Sequence, residues 1–216
     1  MSEKLFPVRF PGPAGMLEGL WKEAAPPGRG AAVLAHPHPL DGGTMHNKVV
    51  YRAAQALSRA GYATLRFNFR GAGASEGTHD RGRGEVDDVR AAIDEARRRG
   101  GLPLIAGGFS FGAAICLRAI EGDSRVGAYV GIGVPLASSS GRDLPRPRVP
   151  ALFVAGENDV YGPPAMLEEF AGGVGRILIV PGADHFLSGR LEAMQDAITG
   201  FAARLPADRD AEGATP

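Results

Sequence analysis

The stretch Leu102–Ile120, LPLIAGGFSFGAAICLRAI, constrains this chain more than any other. It opens on an apolar run (Leu102, Leu104, Ile105, Ala106) of the kind that forms a buried strand. It closes on Ala113-Ala114-Ile115-Cys116-Leu117, which reads as a small-residue helix. Between them Gly108, Ser110 and Gly112 follow G-x-S-x-G. A strand that turns into a helix this sharply forces the central serine into a strained backbone conformation. Glycine two residues before and two after leaves room for the neighbouring backbone. The strain points the Ser110 hydroxyl out of the sheet edge and sets the Phe111 N–H at a helix start, where developing negative charge is stabilised. In a chain with 32 glycines the pattern alone is consistent with a plain turn. Its setting between an apolar strand and a helix is the context it requires.

The rest of the chain supplies a sheet for that turn to sit on. Residues 3–25 alternate around Pro11-Gly12-Pro13-Ala14-Gly15 and read as an antiparallel hairpin at a sheet edge. Ala31–Ala35 is apolar throughout, as suits a parallel strand covered on both faces. Val50, Ala53, Ala54 and Leu57 mark an amphipathic helix, and Ala63–Phe69 a further strand. Val86, Val89, Ile93 and Ala96 mark a second helix, with its charges expected on the outer face. Strands follow at Val126–Val134, Pro150–Ala155 and Arg176–Val180, with helices at Pro164–Phe170 and Leu191–Leu205. Such alternation implies a mostly parallel sheet with helices on both faces. Ligands of such sheets bind outside the carboxyl ends of the strands, so the loops at 36–44, 70–77, 110–111, 156–161 and 181–186 should converge on one site.

At 216 residues, one domain over 1–205 is the simplest division, with 206–216, PADRDAEGATP, as a frayed tail. Lysine plus arginine equals aspartate plus glutamate at 24 each, which provides no field for nucleic acid or an anionic membrane. The clusters Arg81-Gly82-Arg83 and Arg97-Arg98-Arg99 are short, and helix-end charge and loop solvation account for them. No apolar run suits a signal peptide or a membrane span, and Cys116 is the only cysteine, so a reducing cytoplasm is the expected setting. Cys116 itself reads as a small buried apolar residue.

A serine hydroxyl attacks only when a base takes its proton, and the base needs a carboxylate to orient it. His185, in Gly182-Ala183-Asp184-His185, follows the last strand, and Asp159, in Gly156-Glu157-Asn158-Asp159, follows the strand before it. The order Ser110, Asp159, His185 gives nucleophile, acid and base in turn. Asp184 and Glu157 are alternative acids, and each of these residues could instead be an ordinary turn former. An oxyanion needs two donors. Phe111 N–H is one; Pro37 and Pro39 have no N–H, which leaves the His38 and Leu40 amides, of which His38 is preferred. His36, His38 and His46 with Asp41 make a weak metal pattern; His36 bracing its loop by hydrogen bonds is preferred, and neither metal nor cofactor is expected. Gly71-Ala72-Gly73-Ala74-Ser75-Glu76-Gly77 has the wrong spacing for a dinucleotide loop.

HPHPLDGGTMHNKVV (36–50), RFNFRGAGASEG (66–77), GFSFG (108–112), GENDVYGP (156–163) and GADHF (182–186) resemble the α/β-hydrolase superfamily, in particular a small bacterial carboxylesterase-like group. They are similar also to the dienelactone-hydrolase and serine-aminopeptidase branches. The resemblance implies an α/β-hydrolase fold with Ser110, Asp159 and His185 catalytic and His38 and Phe111 at the oxyanion hole. Ser110 stands where dienelactone hydrolases carry cysteine, and His36-Pro37 stands where His-Gly is usual. Only about a dozen residues, Leu136–Val149, are left for the superfamily's usual helical lid, so no lid domain is expected. Leu40, Tyr161 and Phe186, with Phe111, are the candidates for lining an open cleft. The expected activity is cofactor-independent hydrolysis of a small-molecule ester by a monomer or homodimer. A peptidase or amidase on the same residues, or a catalytically silent fold that binds a ligand, are the alternatives.

Overall fold

The computed structural model describes residues 4–206. In chain order its elements are β1 (Leu5–Gly12), β2 (Gly15–Lys22), β3 (Ala31–Ala35), α1 (Lys48–Arg59), β4 (Ala63–Phe67), α2 (Gly84–Gly100), β5 (Leu104–Phe109), α3 (Phe111–Ala119), β6 (Val126–Ile132), β7 (Ala151–Gly156), α4 (Pro164–Ala171), β8 (Arg176–Val180) and α5 (Leu191–Ala203). The strands form one sheet in the order β1-β2-β4-β3-β5-β6-β7-β8. β1 and β2 pair antiparallel, as do β2 and β4; every other neighbouring pair is parallel.

Side-chain alternation explains why the inner strands carry almost no polar residues. Along β3, Ala31, Val33 and Ala35 face one core and Ala32 and Leu34 the other. β7 divides in the same way, with Ala151, Phe153 and Ala155 opposed to Leu152 and Val154. Helices α2, α3 and α4 cover the first face, and α1 with α5 the second. Both faces of each central strand are therefore dry, and each fully buried aliphatic or aromatic side chain contributes about 1.5–3 kcal/mol. Asn47 starts α1 by accepting a hydrogen bond from the Val49 N–H at 2.9 Å.

Three expectations are corrected. The hairpin turn is tighter than the whole of 11–15: Gly12 pairs with Gly15, which leaves Pro13-Ala14 as the connection and keeps Pro11 in β1. The fourth strand stops at Phe67 rather than Phe69 because the next residues bond elsewhere. The Asn68 amide accepts from Met45 N–H (2.7 Å) and donates to Glu18 (2.6 Å), while Phe69 N–H donates to the His36 ring (3.1 Å). The charges of α2 do not all lie outside, since Glu85 and Asp88 are fully buried. Asp88 grips Arg70 at 2.7 Å and accepts its backbone N–H, and Glu85 accepts the Asp80 and Gly82 N–H groups. These carboxylates close the loop between β4 and α2, whose buried donors would otherwise be unpaired.

The loops after β3, β5, β7 and β8 meet at one edge of the sheet, joined by the loop after β6, whereas 70–77, expected to converge with them, turns away and accepts the Met16 and Glu18 N–H groups of β2 through Glu76 and Ser75. The connection between β6 and β7 carries only a short helical turn at Ser139–Gly141, so no lid covers that edge. The tail expected over 206–216 falls, from residue 207 onward, outside the described residues. Among the described residues no helix is long and apolar enough to cross a membrane.

Candidate active site

The turn at Ser110 has the conformation its sequence demands. Ser110 sits at φ 54, ψ −121, a region costly to any residue with a side chain, at roughly 1–3 kcal/mol. It is held there by its own N–H on Ile132 O (2.9 Å) and by its carbonyl, which accepts the Ala114 N–H (3.2 Å) as α3 begins. The flanking glycines are obligatory on steric grounds. A Cβ on Gly112 would lie 2.5 Å from both Ala35 O and His36 O, and one on Gly108 would lie 2.6 Å from Gly112 C.

Two loops bring the partners to that hydroxyl. His185 follows β8 and Asp159 follows β7, and both side chains are buried. His185 Nε2 is 3.0 Å from Ser110 Oγ, and its Nδ1 is 2.8 and 2.9 Å from the two Asp159 oxygens. Asp159 Oδ1 also accepts the N–H groups of Tyr161 and Gly162, each at 2.9 Å. A carboxylate that accepts so many donors takes the Nδ1–H of His185 as well, which leaves Nε2 free to accept from the serine hydroxyl. The ring is held by Tyr161, Phe109 and Phe186, with centroids 4.7, 5.0 and 5.4 Å away. Gly133, at φ 53, supplies the space beneath it: a Cβ there would be 3.0 Å from His185 Cε1.

The competing acids have other duties. Asp184 is exposed and caps its own turn, accepting from the Phe186 and Ser188 N–H groups and the Ser188 hydroxyl, and these bonds lower its pKa. Glu157 accepts the Gly182 N–H at 2.8 Å and ties the two loops together. Neither contacts the imidazole.

On the opposite side of Ser110, Phe111 opens α3 and His38 lies in the loop after β3. Neither backbone N–H has a partner among the described residues. The His38 carbonyl is turned inward, accepting from Asp41 N–H (3.1 Å) and Gly43 N–H (3.0 Å), and this fixes the loop. His36 braces it from below. Its Nδ1 donates to Pro37 O (2.6 Å), its Nε2 accepts from Phe69 N–H, and burial lowers its pKa to about 4. With both nitrogens engaged, His36 offers no lone pair to a metal. Cys116 is fully buried in α3, its thiol on Gly107 O and its pKa raised by burial to about 12.

These residues line a cleft of about 450 Å³. Ser110, Phe111, His38, His185, Tyr161 and Phe186 all contribute to its wall, and Tyr161 and Phe186 stand half exposed at its rim. Leu40 does not: it is 72% exposed and lines the neighbouring hollow beyond His38. Of the two amides left open by the prolines, only that of His38 belongs to a residue of the cleft. Pro135 and Ser138–Ser140 also line the wall, and nothing marked them beyond their position in a polar loop after a strand.

A lidless αβ sheet with a strained serine at a strand-to-helix turn is the build of an α/β serine hydrolase, and the comparisons agree. A family model described as alpha/beta hydrolase fold matches residues 40–144. The chain is 33% identical over 208 residues to an uncharacterized protein of Rickettsia prowazekii, covering 90% of this chain and 87% of that one. It is similar to an alpha-beta serine hydrolase homologue from Coxiella burnetii, with 32% identity, 93% and 97% of the two chains covered and a TM-score of 0.83. A Xanthomonas campestris protein described as an α/β serine hydrolase without lid shares 30% identity over 100% and 99% of the chains, with a TM-score of 0.85. The chain belongs to the α/β-hydrolase family, and within it to the lidless bacterial type.

Proposed function

We propose that the protein hydrolyses small carboxylic esters through Ser110, His185 and Asp159. The observation that carries the reading is the unbroken line of hydrogen bonds from Asp159 through His185 to the Ser110 hydroxyl, at the floor of an open cleft. Ser110 Oγ attacks the ester carbonyl carbon as its proton passes to His185 Nε2. The carbonyl oxygen, now negative, is received by the Phe111 and His38 N–H groups, which the resting protein leaves unoccupied. When the tetrahedral centre collapses, Nε2 returns the proton to the departing alkoxide and an acyl-Ser110 is left. Water then repeats the sequence, with Nε2 as base, and releases the acid. Asp159 takes no proton; it holds the ring in the Nδ1–H form and stabilises the imidazolium.

The small size of the substrate is supported by the volume of the cleft and by the absence of a lid to close over a long chain. The test is hydrolysis of short-chain p-nitrophenyl esters, alongside labelling of the serine by a fluorophosphonate. Ser110→Ala is expected to lower kcat by at least about 10⁴-fold and to abolish labelling. Equal turnover by the two proteins would overturn the assignment.

A further inference from the structure

On the far side of the wall formed by His38 and Phe111 lies a second hollow of about 1050 Å³. It adjoins the cleft of Ser110 along His38, Phe111, Ser139 and Ser140, which line both. Its permanently charged lining is of one sign, Arg81, Arg83 and Arg118, beside the imidazoles of His38 and His79 and with no carboxylate. In a chain with equal numbers of acids and bases, that is a local separation of charge.

The acids nearby compensate only part of it. Asp80 pairs with Arg83 at 2.9 Å. Glu85, buried under the loop, lies 2.8 Å from His79 Nδ1 without the geometry of a hydrogen bond. Asp41 is 3.7 Å from His38 Nδ1 and almost fully exposed. Arg81 and Arg118 have no carboxylate partner among the described residues. Arg118 is the informative one. It is partly buried on α3, burial disfavours its charge, and Asp143 acts on it only through space. Its Nη2 donates to Ser140 O and Arg142 O, each at 3.0 Å, which fixes the plane of the guanidinium. The Nε–H and the Nη1 hydrogens are left without acceptors in the protein; they lie on different edges of the guanidinium, so each is free to donate a single charge-assisted hydrogen bond to an oxyanion. A half-buried cation without a counter-ion is costly, and a bound anion relieves that cost.

We propose that this hollow receives a carboxylate or phosphate carried by the substrate, at the unengaged N–H donors of Arg118 with Arg81 at its rim, so that the protein selects acidic esters over neutral ones. The inference rests on the ester-hydrolase reading of Ser110. The test compares kcat/KM for p-nitrophenyl esters of equal chain length ending in a methyl, a carboxylate or a phosphate group. At low salt one of the charged esters is expected to exceed the neutral one by about tenfold, the margin of a single charge-assisted hydrogen bond, and to lose most of that margin in about 0.5 M KCl. The better of the two charged esters identifies the anion. Arg118→Gln and Arg81→Gln are each expected to lower the charged-to-neutral ratio several-fold, whereas Arg97→Gln, on the last turn of α2, leaves it at the wild-type value. Because Arg118 also holds the loop at 140–142, the exposed Arg81 provides the readout if the first variant does not fold. A wild-type ratio near one, or a ratio unmoved by Arg81→Gln and by any folded Arg118→Gln, overturns the inference. Fluorophosphonate labelling of Ser110 and turnover of the neutral ester separate the two failures: a labelled, active enzyme without preference loses only the anion site, and an unlabelled one loses the hydrolase reading itself.

Discussion

Asp159→Asn tests the proposed mechanism most sharply because the surrounding backbone dictates how the new amide must point. Oδ1 of Asp159 accepts two backbone N–H groups, from Tyr161 and Gly162, at 2.9 Å each. An asparagine keeps its carbonyl oxygen there, since turning its NH₂ toward two donors would leave both unpaired. The NH₂ then takes the place of Oδ2, 2.8 Å from His185 Nδ1, and donates to it. The imidazole responds by carrying its proton on Nε2, facing the Ser110 hydroxyl with a donor where an acceptor is needed. The expected loss is about 10⁴-fold in kcat, or about 5 kcal/mol of transition-state stabilisation. Both backbone bonds survive, so Tm should move by no more than about 2 °C, the shift that roughly 0.5 kcal/mol produces in a chain of this size. Asp159→Ala separates the two roles, because it orphans the Tyr161 and Gly162 amides and costs about 1–3 kcal/mol of stability in addition to activity. Steady-state ester hydrolysis with calorimetry on the same preparations measures both. An asparagine variant within tenfold of wild type, or one whose loss of activity tracks a collapse in Tm, would refute the tautomer argument.

Two further perturbations follow from the packing around the serine. Gly112→Ala places a methyl 2.5 Å from two backbone carbonyls, Ala35 O and His36 O, neither of which moves without shifting β3 against α3. It should destabilise by about 1–3 kcal/mol and lower ester turnover; a denaturation midpoint equal to wild type would contradict the close approach. His36 is buried as the neutral imidazole, with a pKa lowered from 6.5 to about 4. Between those values the unfolded chain binds a proton that the native protein refuses, so stability is full above pH 6.5 and is lost as pH falls through the window toward 4. The loss reaches roughly 3 kcal/mol, and urea titrations from pH 7 to pH 4 should show His36→Gln with the shallower slope by about that amount.

Much of the fold was legible because its signals are local. The apolar runs at Ala31–Ala35 and Arg176–Val180 became strands with the expected bounds, and the spacing of Val50, Ala53, Ala54 and Leu57 became the buried stripe of α1. Strand ends were less legible: Phe69 leaves β4 because a side chain distant in sequence, His36, takes its N–H. Glu85 and Asp88 read as surface charge because an isolated helix gives no hint of Arg70 or of the loop amides waiting beneath it. Ser138–Ser140 and Arg118 carried no motif at all, and they line the two hollows only because the loop after β6 folds back over α3.

What the sequence by itself determined is the turn at Gly108–Gly112. Allowed backbone angles and the room a Cβ needs are properties of a few adjacent residues, so the strained serine, its glycines and the helix-start N–H of Phe111 were present in the letters. Which carboxylate meets His185 was decided only in three dimensions. Asp159, Asp184 and Glu157 are equivalent as residue types, and they part company because two backbone amides and the imidazole converge on the first, while the second caps its own turn and the third ties down Gly182. The charge of the hollow beside the cleft is likewise a tertiary fact. A net charge of zero conceals it, since Coulomb energies depend on distances that only the packing of the 79–83 loop against α3 sets.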